Sequence, residues 1–161
     1  GIFLNIYSPY LYERLAKISY KKKIEIVRIS YVFIFALILL ILVITLTTNT
    51  VFKLLIDESY SSGAQYVFWI SLSYLFWGLY LIFAGYIFHL KKTIILTYLA
   101  IINVVLNLML NYFLIIKFGV IGAAYATTIS FFIVFVLVAV ISNKLYPMPW
   151  LYFLKQKSDY I

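Results

Sequence analysis

Four stretches without a single charged residue decide what this chain can fold into. The first, Ile29 to Phe52, is built mostly from Ile, Leu, Val and Phe and counts 24 residues. As a helix it measures about 36 Å at about 1.5 Å per residue, enough to cross a hydrocarbon core of about 30 Å with some tilt. Ser59 to Phe88, Thr93 to Ile116 and Phe118 to Asn143 follow, each long enough to cross as well. Membrane strands need segments of about ten residues with alternating polarity, and these runs are too long and too uniformly apolar for that. A continuous helix satisfies its backbone hydrogen bonds within itself, which lipid demands. Only 11% of the 161 residues are charged and 66% are hydrophobic, against roughly 25% charged in soluble domains, so a water-soluble fold is excluded.

The pattern predicts an all-α membrane protein with transmembrane helices at 29–50, 65–89, 93–116 and 120–142. Around them it predicts the end of a preceding helix at 1–12, a basic cytoplasmic loop at 13–28, an external loop at 51–64 and a cytoplasmic tail at 143–161. Gly1 stands where an initiator Met would, and Gly1 to Tyr12 has neither the basic leader nor the cleavage pattern of a signal peptide. The expectation is a piece of a longer protein.

In a soluble protein the net charge of +8 would raise nucleic-acid binding. In a membrane protein, basic residues gather in cytoplasmic loops. If Ile29 marks the cytoplasmic end of its span, that side receives Arg14, Lys17, Lys21, Lys22, Lys23, Arg28, Lys91, Lys92, Lys144, Lys155 and Lys157. The other side receives Lys53 and Lys117, with Asp57 and Glu58 carrying little topological weight. Eleven of the 13 basic residues on one side place both ends of this chain in the cytoplasm and leave no nucleic-acid partner to invoke.

The basic segment from Tyr10 to Arg28 reads in two ways. It is the loop that holds the topology, or an interfacial element whose Lys21, Lys22 and Lys23 meet headgroups or phosphates. In the second run, Ser71, Tyr74, Gly78 and Gly85 share one helical face. Small residues there let helices approach closely, while Ser71 and Tyr74 are also candidates for a hydroxyl lining along a solute path. The third run carries Asn103, Asn107 and Asn111 at i, i+4 and i+8. Three amides toward lipid would each cost on the order of several kcal/mol unpaired, so they face protein or water. They are interhelical hydrogen bonders or the polar strip of a solute pathway.

Catalysis and cofactors have little to stand on. There is no cysteine and one His, so no thiolate or multi-His metal site can be assembled. Glu13, Glu25, Asp57, Glu58 and Asp159 all fall outside the apolar runs, and no phosphate-cradling glycine loop appears. With no Asp, Glu, Lys or Arg inside any run, the intramembrane groups that usually couple transport to ions are also missing. The expectation is a non-enzyme without cofactor.

The run from Asn103 to Ser130, NVVLNLMLNYFLIIKFGVIGAAYATTIS, resembles the C-terminal part of bacterial polysaccharide flippases of the multidrug/oligosaccharidyl-lipid/polysaccharide exporter superfamily. The resemblance lies in Lys117, Phe118 and Gly119 closing one helix and Gly122, Ala123, Ala124, Ala126 and Thr127 opening the next. No Pro precedes Lys117, a departure from the common pattern. SPYLYERL at Ser8 to Leu15 and LLIDESYSSGAQY at Leu54 to Tyr66 look like the family's inner loop and outer hairpin. Read from the residues themselves, Gly119 and Gly122 permit a tight reversal and the alanines a close helix contact.

The resemblance implies a two-lobed transporter of twelve or fourteen helices in the bacterial inner membrane, flipping undecaprenyl-linked oligosaccharides by alternating access. Such proteins serve polysaccharide or O-antigen (lipopolysaccharide) biosynthesis. In the twelve-helix form this chain corresponds to the end of helix eight and helices nine to twelve. Its partners are then the bilayer, the lipid-linked oligosaccharide and the missing N-terminal lobe. Two alternatives stay open: a drug or metabolite antiporter of the same superfamily, and a membrane glycan polymerase or ligase.

Overall fold

The structure, a computed structural model, describes residues 9–13, 15, 19–55 and 62–152. Four long helices carry the fold: α1 (Tyr20–Leu55), α2 (Ala64–His89), α3 (Ile94–Phe118) and α4 (Ile121–Leu145). Each is long and apolar enough to cross a membrane, and no Pro interrupts any of them. The chain is an all-α membrane protein with four candidate spans.

Helix α1 begins at Tyr20, which corrects the expected loop at 13–28: residues 20–28, including Lys21 to Lys23, are helical. The same helix runs on to Leu55 and α2 starts at Ala64, so the expected external loop at 51–64 shrinks at both ends. Its acidic residues, Asp57 and Glu58, lie outside the described residues, as do 1–8, Arg14, Lys17 and 153–161 with Lys155, Lys157 and Asp159. Charge marks where a helix leaves hydrocarbon, not where it ends. Lysine stems can extend along an apolar surface while the ammonium stays in water.

Two tight reversals set the helix order. After α2, Lys91 takes a left-handed φ of 56°. The Lys92 amide then donates back to Ile87 O at 3.2 Å and the Lys91 amide to Phe88 O at 2.9 Å, satisfying carbonyls the helix end leaves open. After α3, Gly119 adopts φ 68° and ψ −151°, a backbone region nearly restricted to glycine. Its amide donates to Ile115 O at 2.8 Å. Gly122 closes this hairpin, since a Cβ there would stand 2.1 Å from Leu114 O and 2.3 Å from Leu114 C.

Helix α4 is clasped between α2 and α3. Residues Gly122, Ala126, Ser130, Val134, Val138 and Ser142, four apart, form one buried stripe, and Ala124 and Thr128 bury the opposite side. The first stripe meets α3 at Leu114 and Asn107. On the other side Thr128 Oγ1 donates to Trp69 O of α2 at 2.8 Å. Bulkier contacts fill the rest of the α2–α4 seam: Trp69 against Tyr125 with ring centres 4.7 Å apart, and Phe76 against Phe132 at 5.0 Å. Helix α1 packs on α2, where the Leu37 side chain lies over Gly78. The lateral order is α1, α2, α4, α3.

The basic end of the bundle is also its best-buried part. Leu11 and Leu15 of the N-terminal segment, Ile26 and Val27 of α1, Ile82 and Tyr86 of α2 and Met148 of the tail form one core cluster. The tail reaches it by folding back after α4. The Tyr31 hydroxyl donates to Trp150 O, Lys23 Nζ donates to Pro147 O at 3.1 Å, and the Trp150 ring lies 4.9 Å from that of Phe83. His89 stacks on Tyr12 at 5.6 Å. With the helices alternating in direction, Lys21, Lys22, Lys23, Arg28, Lys91, Lys92 and Lys144 share this end. Lys53 and Lys117 occupy the other.

Candidate functional site: an amide groove near the middle of α3

Asn107 stands near the midpoint of α3, one turn from Asn103 on one side and Asn111 on the other. The register is that of successive helical turns, so the three amides share one face, and α4 lies against it. Asn107 Nδ2 donates to Ser130 Oγ of α4 at 3.1 Å, and the Ser130 hydroxyl in turn donates to Thr127 O at 3.0 Å. Asn111 Nδ2 donates to Asn107 O at 2.8 Å and to Asn107 Oδ1 at 3.0 Å. Asn107 and Asn111 are thus tied into an amide and hydroxyl chain joining α3 to α4.

Asn103 is different. Its Oδ1 is buried and accepts no hydrogen bond among the described residues. It lines an open groove of about 310 Å³ together with Val104, Asn107, Leu108, Thr127 and Phe131. Thr127 Oγ1 donates within its own helix, to Ala123 O at 3.0 Å. The groove holds no charge. Its polar atoms are amide and hydroxyl groups, and its walls are Val104, Leu108 and Phe131. Such a surface can hydrogen-bond hydroxyls and amides and stack against an apolar ring face. Among the described residues no three His, Asp or Glu side chains gather to hold a metal.

Ser71 and Tyr74, read as pathway candidates beside the asparagines, are not in this groove. Tyr74 is 65% exposed on the outside of α2, and the buried hydroxyl of that region is Ser73, which donates to Ile70 O at 2.7 Å. Gly78 and Gly85 are buried on α2, as are Gly122 and Ala124 on α4. Ala123 and Thr127 are half-buried, and Gly119 forms the exposed turn. Of the three lysines at 21–23, the structure engages Lys23, which also lies 4.5 Å from the centre of the Tyr146 ring. Burial pushes the Tyr146 phenol above its ordinary value near 10, so the ring beneath that ammonium stays neutral.

The sequence did not foresee Ser130 as the partner of Asn107, nor the cavity at the basic end formed by the folded-back tail. Pro147, Pro149 and Trp150 were the available signal for the latter. No protein-family model, curated protein or solved structure matches the chain.

Proposed function

We propose that the chain is part of a membrane translocator that flips lipid-linked oligosaccharide repeat units for polysaccharide or O-antigen assembly. The observation that carries this reading is the uncharged groove lined by Asn103, Asn107 and Thr127, near the middle of α3. Sugars present many hydroxyls, and the Asn and Thr side chains that line the groove can donate to and accept from them. The sequence resemblance to the polysaccharide flippases supports the same reading. Its natural substrate is an undecaprenyl-linked oligosaccharide, and its setting the bacterial inner membrane with both ends of this chain cytoplasmic. The two-lobed architecture would need the remainder of a longer protein.

A cell lacking the intact gene should accumulate lipid-linked repeat units on the cytoplasmic face. Normal exposure of those units on the outer face would sink the proposal. Efflux of small cations or drugs coupled to an ion gradient would point instead to an antiporter, a reading to which the charge-free runs lend no support. A reporter enzyme fused after Glu58 should lie outside the cytoplasm, and finding it in the cytoplasm would overturn the orientation.

A further inference from the structure

Where the N-terminus of α1, the C-terminus of α4 and the returning tail meet, they enclose an open cavity of about 440 Å³. That volume falls within the roughly 300–1,000 Å³ of small-molecule sites. Its polar contributors are Lys23 and Asn143, and Tyr20, Trp150 and Tyr152 supply amphipathic rings. The tail that walls it is held in place by the Tyr31 and Trp150 contacts. This cavity is separate from the amide groove, which lies far along α3.

We propose that this cavity binds the phosphate of an anionic lipid, with the phosphate at Lys23 and Asn143 and the first methylenes against Trp150 and Tyr152. Lys23 is prepositioned by its bond to Pro147 O and its place over Tyr146. An ammonium has three donors, so two remain for a ligand. Charge complementarity points the same way. Lys21 and Lys22 adjoin Lys23, Lys144 follows Asn143, and the first turn of α1 contains no acidic residue. Glu25 is the one acidic residue between Tyr20 and Arg28, against Lys21, Lys22, Lys23 and Arg28, so the stretch keeps a net positive charge. Aromatic rings that are apolar at one end and polar at the other favour the membrane interface, where lipid phosphates sit. The amphiphile matches the cavity at both of its ends.

The lipid phosphate has two sources: a bilayer phospholipid such as phosphatidylglycerol, or a polyprenyl phosphate carrier. The full chain is reconstituted in nanodiscs of phosphatidylcholine doped with one or the other, and retained lipid is counted by native mass spectrometry. Phosphatidylglycerol or polyprenyl phosphate should be retained over phosphatidylcholine. Lys23→Gln should weaken retention about tenfold, as loss of a charge-assisted bond does. Lys23→Arg should restore it, and Lys53→Gln at the opposite end should leave it unchanged. Retention of phosphatidylglycerol alone assigns the site to bilayer lipid, and of polyprenyl phosphate alone to the carrier; either supports the site. Equal retention of phosphatidylcholine overturns it, as does a Lys23→Gln variant that matches the parent chain. Circular dichroism of each variant reports whether the helices persist, and Asn143→Leu provides an independent second probe if Lys23→Gln does not fold. The inference rests on the membrane reading alone, so failure of oligosaccharide translocation leaves it standing.

Discussion

Helices α4 and α1 are both unbroken apolar runs, yet they use their surfaces in opposite ways. Of the most apolar eighteen residues of α4, 33% are buried against protein, and of those of α1, 6%. Part of the difference is position, since α4 has a helix on each side and α1 packs on α2 alone among the described helices; the rest lies in side-chain size. Helix α4 offers Gly122, Ala124, Ala126, Thr128 and Ser130 to its neighbours, while the middle of α1 offers Phe35, Leu39, Leu40, Leu42 and Leu46, all more than half exposed. Lipid tails are as apolar as leucine, so apolarity alone gives two membrane helices no reason to associate. Close approach and hydrogen bonds do. Apolarity therefore marks what enters the membrane, and small residues mark what packs there.

The most severe way to break the contrast is Gly122→Val. Its Cβ would meet the Leu114 backbone at 2.1 Å, and backbone cannot swing aside as a side-chain tip can. We expect a loss of about 3 kcal/mol or more, seen as aggregation in size-exclusion chromatography or a collapsed melting temperature in detergent. A variant that melts like the parent chain would mean that the α3–α4 hairpin is looser than the structure has it.

Asn107→Leu comes next, because it removes the α3–α4 amide contact to Ser130 and the side-chain acceptor for Asn111. Interhelical hydrogen bonds in membranes are worth about 0.6 to 2 kcal/mol, so thermal unfolding should shift by about that much while the helices remain. If the groove lies on the substrate path, oligosaccharide translocation by the full-length protein should fall far more than stability does. Stability and translocation falling in step would reduce the strip to packing.

The four helices were legible because each charge-free run is its own signal, read locally. The asparagine face was legible for the same reason, since i, i+4, i+8 is a spacing within one helix. What the sequence hid depends on residues far apart. Tyr31 meets Trp150 across a separation of 119 residues and Lys23 meets Pro147 across 124. No periodicity encodes either contact. The start of α1 was hidden differently, since Lys21 to Lys23 read as a loop by charge although lysine is a good helix former. Tyr74 shows the limit of face arguments: it shares a face with the buried Gly78 and is still 65% exposed.

Gly78→Ala tests the α1–α2 contact and should be milder than Gly122→Val. The new methyl would stand 2.6 Å from Leu37 Cδ1, a side-chain tip that can rotate away. A cost of about 1 kcal/mol is expected, and Leu37→Ala in the same chain should recover part of it. An additive double mutant would mean that the two residues do not press on one another.

The smallest effect belongs to the exposed face of α1, where Leu40 is 55% exposed. Leu40→Ala should change the unfolding of the full chain by no more than about 0.5 kcal/mol, the usual bound for surface positions, because the methyls it removes contact lipid or detergent in both states. A buried Leu→Ala change costs about 2–5 kcal/mol, so the two outcomes are well separated in a melting experiment. A loss in the upper range would show that protein covers this face. The low burial of α1 would then reflect a missing neighbour, and the rule that small residues decide packing would hold for α4 while failing for α1.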